Sequence, residues 1–499
     1  GVTVNSNSGQ PGAAAEVRIR GIGTINSDAS PIYVVDGVIL SEISFLSPSD
    51  IVSTEILKDA SATAIFGSRG ANGVILITTR RGSDNPKGNI TVDTYFGVQN
   101  RWKKLDLMKR DEFAKTVAEF NLSSNDLETL GFNKWIETWY TGKNKAYFPK
   151  IKTDTYPQGI DYTTIDTDWQ DEVFVKNALI QNHYVAFDGG NKTSNYAISV
   201  GWFNQEGTII GSDYNRLTMR VNTSHQVRSW IKVGENLSFM NSGGRTAMNN
   251  NASPGASILS AALAMAPWDP AYYPEGSWSY STKASGDFPQ GRDLSGQISA
   301  SSNFKNVTNP LSMVKNSHPD NKNERWVGDM YIEINPIKKL TFRSDISMDL
   351  ANNMAKLYKN AYLYSDYDKQ DTNFFSSNMY RYSTIINENT LTYADKIGKN
   401  DFSIMIGQTT QEYNYYTIGG SGANILNATA ENQLLSKTTA NKSYAGDNIA
   451  RTRMASYLSR IHYQYNNKYM ITANFRIDGT NKFPENPWGY FPSTALGWK

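Results

Sequence analysis

Residues able to do covalent chemistry are sparse in this chain. Asp166, Asp168, Asp171 and Glu172 bunch like calcium ligands, but their spacing does not follow the twelve-residue loop with its central glycine. A solvated acidic turn is the simpler reading. His183, His225, His318 and His462 are scattered and form no metal-ligand spacing. No Ser-His-Asp order can be defended, and no carboxylate pair marks a glycosidase cleft. Gly21-Ile22-Gly23 lacks the third glycine of a dinucleotide fingerprint, and Gly67–Gly73 lacks the Lys-Ser/Thr of a phosphate loop. With no cysteine, thiolate metal sites, Cys nucleophiles and disulfides are excluded. The expectation is therefore no enzyme, no cofactor and no metal. Non-covalent chemistry remains. Trp268, Tyr272, Tyr273, Trp278 and Tyr280 crowd one long connection and could stack on a cargo; alternatively they pack that connection's own small core, or face a lid. Thr24 and Asn26, in a polar loop between two strands, are further candidates. Arg69, Arg80 and Arg81 could pair with acids such as Asp345, Asp349 or Glu333, or serve solubility alone.

The elements that must position these residues follow two grammars. Over 1–83 short strands mix with one helix: Val17–Arg20, Pro31–Gly37 closed by an Asp-Gly turn, and Ile51–Leu57. Asp59 then caps a helix over Ala60–Phe66, Gly67, Gly70 and Gly73 break it, and Val74–Thr79 is a last strand. From about Ile90 long alternating strands take over. Leu340, Phe342, Ile346, Met348 and Leu350 share one face, while Thr341, Arg343, Asp345 and Asp349 share the other. Tyr457, Ile461, Tyr463 and Tyr465 oppose Arg460, His462 and Gln464, and the outward aromatics read as an interfacial girdle.

The 499 residues are 39% apolar and 19% charged, with 12% aromatics. Low bulk hydropathy with many aromatics suits a chain that shows alternate side chains to an apolar medium. It also suits a secreted solenoid or sandwich. The net charge of +2 gives no case for nucleic acid. No stretch reaches the roughly 18 apolar residues of a membrane helix; Ile258–Ala266 reads as a short helix inside a connection. Gly1-Val2-Thr3-Val4 begins as if mid-domain, without a signal peptide, so an N-terminal portion is expected to lie outside this sequence.

Connection lengths discriminate best. About eleven strands fit, with the start of a twelfth at the C-terminus, and long connections alternate with tight turns. The long ones are expected at 101–177, 243–324, 351–379 and 417–449; the third connection is a short exception. Sorting by parity is what an outer-membrane barrel does, and lipid tolerates no unpaired edge. The fold class is mainly β: a transmembrane antiparallel β-barrel, about half present here over 84–499, with a small α+β domain over 1–83.

Three stretches resemble a known family. Ile19–Gly23, Pro31–Val38 and Leu57–Thr79, including Phe66-Gly67-Ser68-Arg69-Gly70-Ala71-Asn72-Gly73, are similar to the plug of SusC/RagA-type TonB-dependent transporters. Thr167–Phe174 resembles the segment leading into the second barrel strand, and Gln205–Arg216 resembles the third and fourth strands. The resemblance implies an importer of Bacteroidota, set in the outer-membrane lipid of a Gram-negative cell, with 22 strands and an N-terminal plug. It implies a SusD-like lipoprotein lid, oligosaccharide or oligopeptide cargo, and a dimer of transporter–lid pairs. It also implies TonB-ExbB-ExbD acting through an N-terminal segment absent from this sequence. The alternative is a surface receptor or adhesin on the same scaffold without transport.

Overall fold

The computed structural model describes residues 2–6, 8–19, 29–58, 63–83, 85–113, 116, 136–141, 144–149, 164–246, 257–275, 295–299, 307–363 and 369–499. Thr24, Asn26, Trp278 and Tyr280 lie outside the described residues, as do Asp59 and Ala60, where the first helix was expected to begin.

The N-terminal region opens with an antiparallel pair, β1 (Val2–Asn5) and β2 (Glu16–Ile19). A four-stranded mixed sheet follows, built from β3 (Ile32–Val35), β4 (Val38–Leu40), β5 (Ile51–Leu57) and β6 (Val74–Thr79) in the order β4-β3-β6-β5. Asp36 and Gly37 join β3 to β4 with φ of 52° and 109°. Asp-Gly is the dipeptide that such a turn, left-handed at both central residues, favours. The segment before β6 is a 3-10 helix, Ala64–Asn72, broken at Gly67 where φ is 62°. Of the helix expected over Ala60–Phe66, the described part is α-helical at Thr63 and 3-10 from Ala64. Gly67, Gly70 and Gly73 weaken helical propagation here, and the tight reversal they permit delivers the chain into β6.

The second region is one antiparallel sheet of twelve strands among the described residues. It begins with β7 (Asn89–Gln99); a hairpin of β8 (Ile136–Thr141) and β9 (Asn144–Pro149) is inserted after it. The wall continues through β10 (Ala178–Gly190), β11 (Ser194–Glu206), β12 (Asp213–Arg228), β13 (Ile231–Gly244), β14 (Ser317–Ile337) and β15 (Leu340–Lys359). After a small inserted pair, β16 (Tyr362–Leu363) and β17 (Lys369–Gln370), come β18 (Phe374–Ile397), β19 (Asn400–Ile425), β20 (Thr438–Tyr465), β21 (Tyr469–Thr480) and β22 (Trp488–Trp498). Each wall strand pairs with the next wall strand in the chain, the meander of a barrel.

Its side chains are sorted inside out. Met330 is 65% exposed beside Asp329 at 5%, and Ile346 is 56% exposed beside Ser347 at 7%. A water-facing sheet buries the apolar member of each pair; a wall between lipid and a polar interior does the reverse. Among the described residues no helix is long and apolar enough to cross a membrane. At one end of the sheet every turn is short: 191–193, 229–230, 338–339, 398–399 and 466–468. At the other end the connections are 100–177, 207–212, 245–316, 360–373, 426–437 and 481–487. Two of them are shorter than expected. The loop expected at 351–379 is confined to 360–373, and that at 417–449 to 426–437, because β15, β18, β19 and β20 continue well past the bilayer. A spanning strand needs only about 9–11 residues, whereas β20 has 28.

Candidate functional site

The plug-facing side of the wall is where fixed charges collect. Among the described residues, the plug's apolar core, including Val35, Val38, Leu40, Phe45, Ile75 and Ile77, takes in Met240 and Val327 from the wall. The remaining described contacts between the two are largely polar.

Asp36 is the centre of one cluster. Its turn places the carboxylate, whose side chain is 1% exposed, against the Thr79 N–H at 3.1 Å. Two arginines converge on it: Arg220 of β12, itself buried, and Arg81 at 3.5 Å. A second anchor is Asp50, buried at the foot of β5. It accepts hydrogen bonds from Tyr184 Oη and Ser199 Oγ, both at 2.7 Å, from β10 and β11. A third is Arg80, 3.5 Å from Asp188 of β10, while its carbonyl accepts from Asn222 at 3.2 Å. A fourth is Arg325 of β14. It holds Asp349 through two 2.8 Å bonds, pairs with Glu42 of the plug, and lies 5.3 Å over the Phe45 ring.

Arg80 pairs with a wall acid as expected, though not one of the three named, while Arg69 and Arg81 pair otherwise. Arg69 donates to Gln411 of β19. Burial, then its neighbour Arg476, lowers the Arg69 guanidinium to about 10, against the opposing pull of Asp478 and Glu388. Arg80 meets Asp188, and Arg81 meets the plug's own Asp36. The three wall acids proposed as partners are engaged by other groups. Asp349 is held by Arg325, Asp345 by Arg343 at 2.8 Å, and Glu333 accepts from Asn335 at 3.4 Å. Cross-strand register and the seating of the plug decide these pairs, and neither is written in local spacing. A polar cavity of about 330 Å³ lies between the Asp36-Gly37 turn and the wall, lined by Asp36, Arg81, Asn222, Lys232, Arg343 and Asp345 among others. Lys232 and Arg343 place it near the tight-turn end.

Over the other end of the first wall strands, the long connections pack into a layer of their own. Helices α1 (Trp169–Val173), α2 (Ile258–Ala264) and α3 (Pro310–Asn316) are capped by the side chains of Asp168, Ser257 and Asn309. Trp169, Val173, Ile258, Ala261, Met265 and Leu311 belong to their common core. Trp268 is 4% exposed with its ring 4.8 Å from that of Phe113, and Tyr273 is 7% exposed. Both are buried in the connection's own packing, the alternative offered for them beside cargo contact: a long loop needs an internal core to hold its shape. Tyr272, half exposed, keeps a free face. The acidic bunch is neutralised from within the chain, since Lys104 pairs with Asp168 and Asp171 and Arg101 with Asp171. Among the described residues no group of three or more His, Cys, Asp or Glu could hold a metal ion.

Comparison with known proteins agrees with this geometry. Residues 1–74 match the model of the TonB-dependent Receptor Plug Domain. Over its full length the chain is 28% identical to TonB-dependent receptor SusC of Bacteroides thetaiotaomicron, covering 46% of it. It is 30% identical to TonB-dependent receptor P3 of Formosa agariphila, again over the full chain and 44% of that protein. Among solved structures it superposes on a chain of the RagAB peptide transporter with a TM-score of 0.78 at 24% identity, covering 99% of this chain and 54% of that one. The unliganded ferric citrate transporter FecA shares the fold at a TM-score of 0.52 and 10% identity, over 99% of this chain and 55% of that one. The chain spans about half the length of the relatives it matches.

Proposed function

The chain is SusC/RagA-like, and from that premise we propose that the protein containing it imports oligomeric nutrients across the outer membrane of a Gram-negative bacterium, one of the Bacteroidota. The observation that carries this reading is the polar seating of the plug on an inside-out wall. A plug held by an apolar interface would be a permanent stopper. A buried ion pair nets little against the same two charges once both are hydrated, so a directed pull that admits water can break the anchors in turn. Two states of the plug are required, and their energy difference is supplied from outside the outer membrane. In this reading TonB, with ExbB and ExbD, pulls on the plug. Cargo enters between the long connections and the plug beneath a SusD-like lid, and leaves along the polar cavity beside Asp36. Oligosaccharide is the first cargo class; oligopeptide is the second, favoured by the RagAB peptide transporter's similarity in fold. No covalent step is assigned to the chain. Thr24, Asn26, Tyr272, Trp278 and Tyr280 remain proposed cargo contacts on sequence grounds.

Deletion of the gene for the full-length protein should abolish uptake of at least one labelled oligomer class, with restoration on complementation. A deletion strain that takes up every oligosaccharide and peptide tested at the parental rate contradicts import and returns the scaffold to a receptor or adhesin role.

A further inference from the structure

Beyond the plug contacts, toward the long-connection end, β18 and β19 carry tyrosines at alternate positions on one face. Tyr380 and Tyr382 stand on β18, Tyr413 and Tyr415 on β19. Tyr382 is directly opposite Tyr415, with ring centroids 5.0 Å apart and planes at 38°. Parity shows which way they point. Gln411, which accepts the hydrogen bond of the plug's Arg69, shares the row of Tyr413 and Tyr415, and strands alternate sides at every residue. The intervening positions Gln408, Thr410 and Ile418 are exposed on the opposite side. The four phenols therefore face the plug side of the wall, just past the level at which Arg69 touches it. All four are half-buried, so their rings keep accessible surface. None belongs to a described apolar core, and none faces the lipid side.

Uncharged groups stand opposite these rings along the register. Thr384 is opposite Tyr413 from one side and Thr452 from the other; Thr417 and Asn353 flank Tyr380. The charged residue of the neighbouring row, Asp349, is engaged by Arg325, which also holds Glu42. A patch of flat phenol faces ringed by hydroxyls and amides presents stacking surfaces and paired donor–acceptor groups; the charges beside it, Arg69 and Asp349, are engaged by Gln411 and Arg325.

We propose that Tyr380, Tyr382, Tyr413 and Tyr415 form a cargo subsite on the plug-facing wall that takes a neutral oligosaccharide, its sugar rings stacked on Tyr382 and Tyr415. The proposal rests on the importer reading above and adds a location and a ligand class to it. The subsite lies between the long connections and the plug, on the route cargo must take.

The test uses the purified full-length protein in detergent and calorimetric titration with two libraries of matched mass, neutral oligosaccharides and peptides. Wild type should bind at least one neutral oligosaccharide. Tyr382→Leu and Tyr415→Leu, which keep a strand-compatible side chain without a flat ring, should each weaken that binding by about 3- to 10-fold. Tyr382→Phe should bind nearly as wild type, and Tyr463→Leu, on the lipid side, should be indistinguishable from it. Heat-modifiable migration on gels verifies that every variant is folded. Undiminished oligosaccharide binding in both Leu variants overturns the subsite and leaves the importer standing. Binding of peptides alone, or of neither library, overturns the ligand class. Loss of the importer reading would appear separately, as unaltered uptake in the deletion strain.

Discussion

At the residue scale, the plug is held by a few polar anchors whose worth differs with burial. Asp36 and Arg220 are both nearly inaccessible, and removing one member of such a pair strands the other charge, typically at about 3–5 kcal/mol. Asp36→Ala should therefore loosen the plug far more than Tyr184→Phe, which removes one donor from Asp50 and leaves Ser199 in place, a loss of about 1–3 kcal/mol. Amide hydrogen exchange in β3, β4 and β6 reads the difference: faster exchange in Asp36→Ala than in Tyr184→Phe is expected, and equal protection in both contradicts the anchor assignment. Gly67 is a second residue with a defined role. Its φ of 62° and its approach to the wall leave no space for a side chain, since a Cβ there would meet Asp478 and come within 2.7 Å of Arg476 Nε. Gly67→Ala should unseat this corner of the plug, seen as raised ion conductance of the protein in planar bilayers; an unchanged closed state would show that the corner adapts. Little of this was legible beforehand. Arg69, Arg80 and Arg81 announced themselves as basic residues in a plug, but their partners depend on which wall rows they meet. The tyrosine patch did carry a signal, Tyr-x-Tyr twice at period two, yet its meaning needed the register that sets Tyr382 opposite Tyr415.

Individual elements test the position of the membrane. On β19 the outward row runs Ile404 and Ile406, then Gln408, Thr410 and Glu412, so the apolar band ends near Gly407. Glu412 accepts from Arg453 at 2.8 Å on the same outer side, which only an aqueous or headgroup environment favours. Ile404→Arg, in the middle of that band, should cost about 2–4 kcal/mol of insertion free energy, and Thr410→Arg, beyond it, should cost little. Urea titration of the refolded protein in lipid vesicles measures both; equal penalties would move the boundary. The same fading of the apolar stripe explains why the strands were placed well in their lower halves and poorly above. Asn352 and Asn353, or Gly419 through Gly422, are polar or small on both faces. Alternation disappears once a strand leaves the lipid, and the sequence then reads as loop. Parity of connection lengths survived this error, because the tight turns stay short however far the strands extend. The packing of Trp268 and Tyr273 was weighed against cargo contact at the outset, and only burial separates the two.

For the whole molecule, the account requires that plug and wall part for cargo to pass. These 499 residues contain no cysteine, so a pair introduced here has no native thiol within the chain to exchange with. Ser49 of the plug donates a hydrogen bond to Asp93 of β7 at 3.0 Å, an exposed contact between short side chains. Ser49→Cys with Asp93→Cys, placed in the full-length protein, would tie plug to wall with little change to the core. The decisive measurement is uptake of a labelled cargo oligomer by intact cells carrying this pair, oxidised and then reduced. Uptake should fall to the level of the deletion strain when the disulfide is formed and return on reduction. Undiminished uptake with the cross-link complete would contradict a plug that must leave the wall.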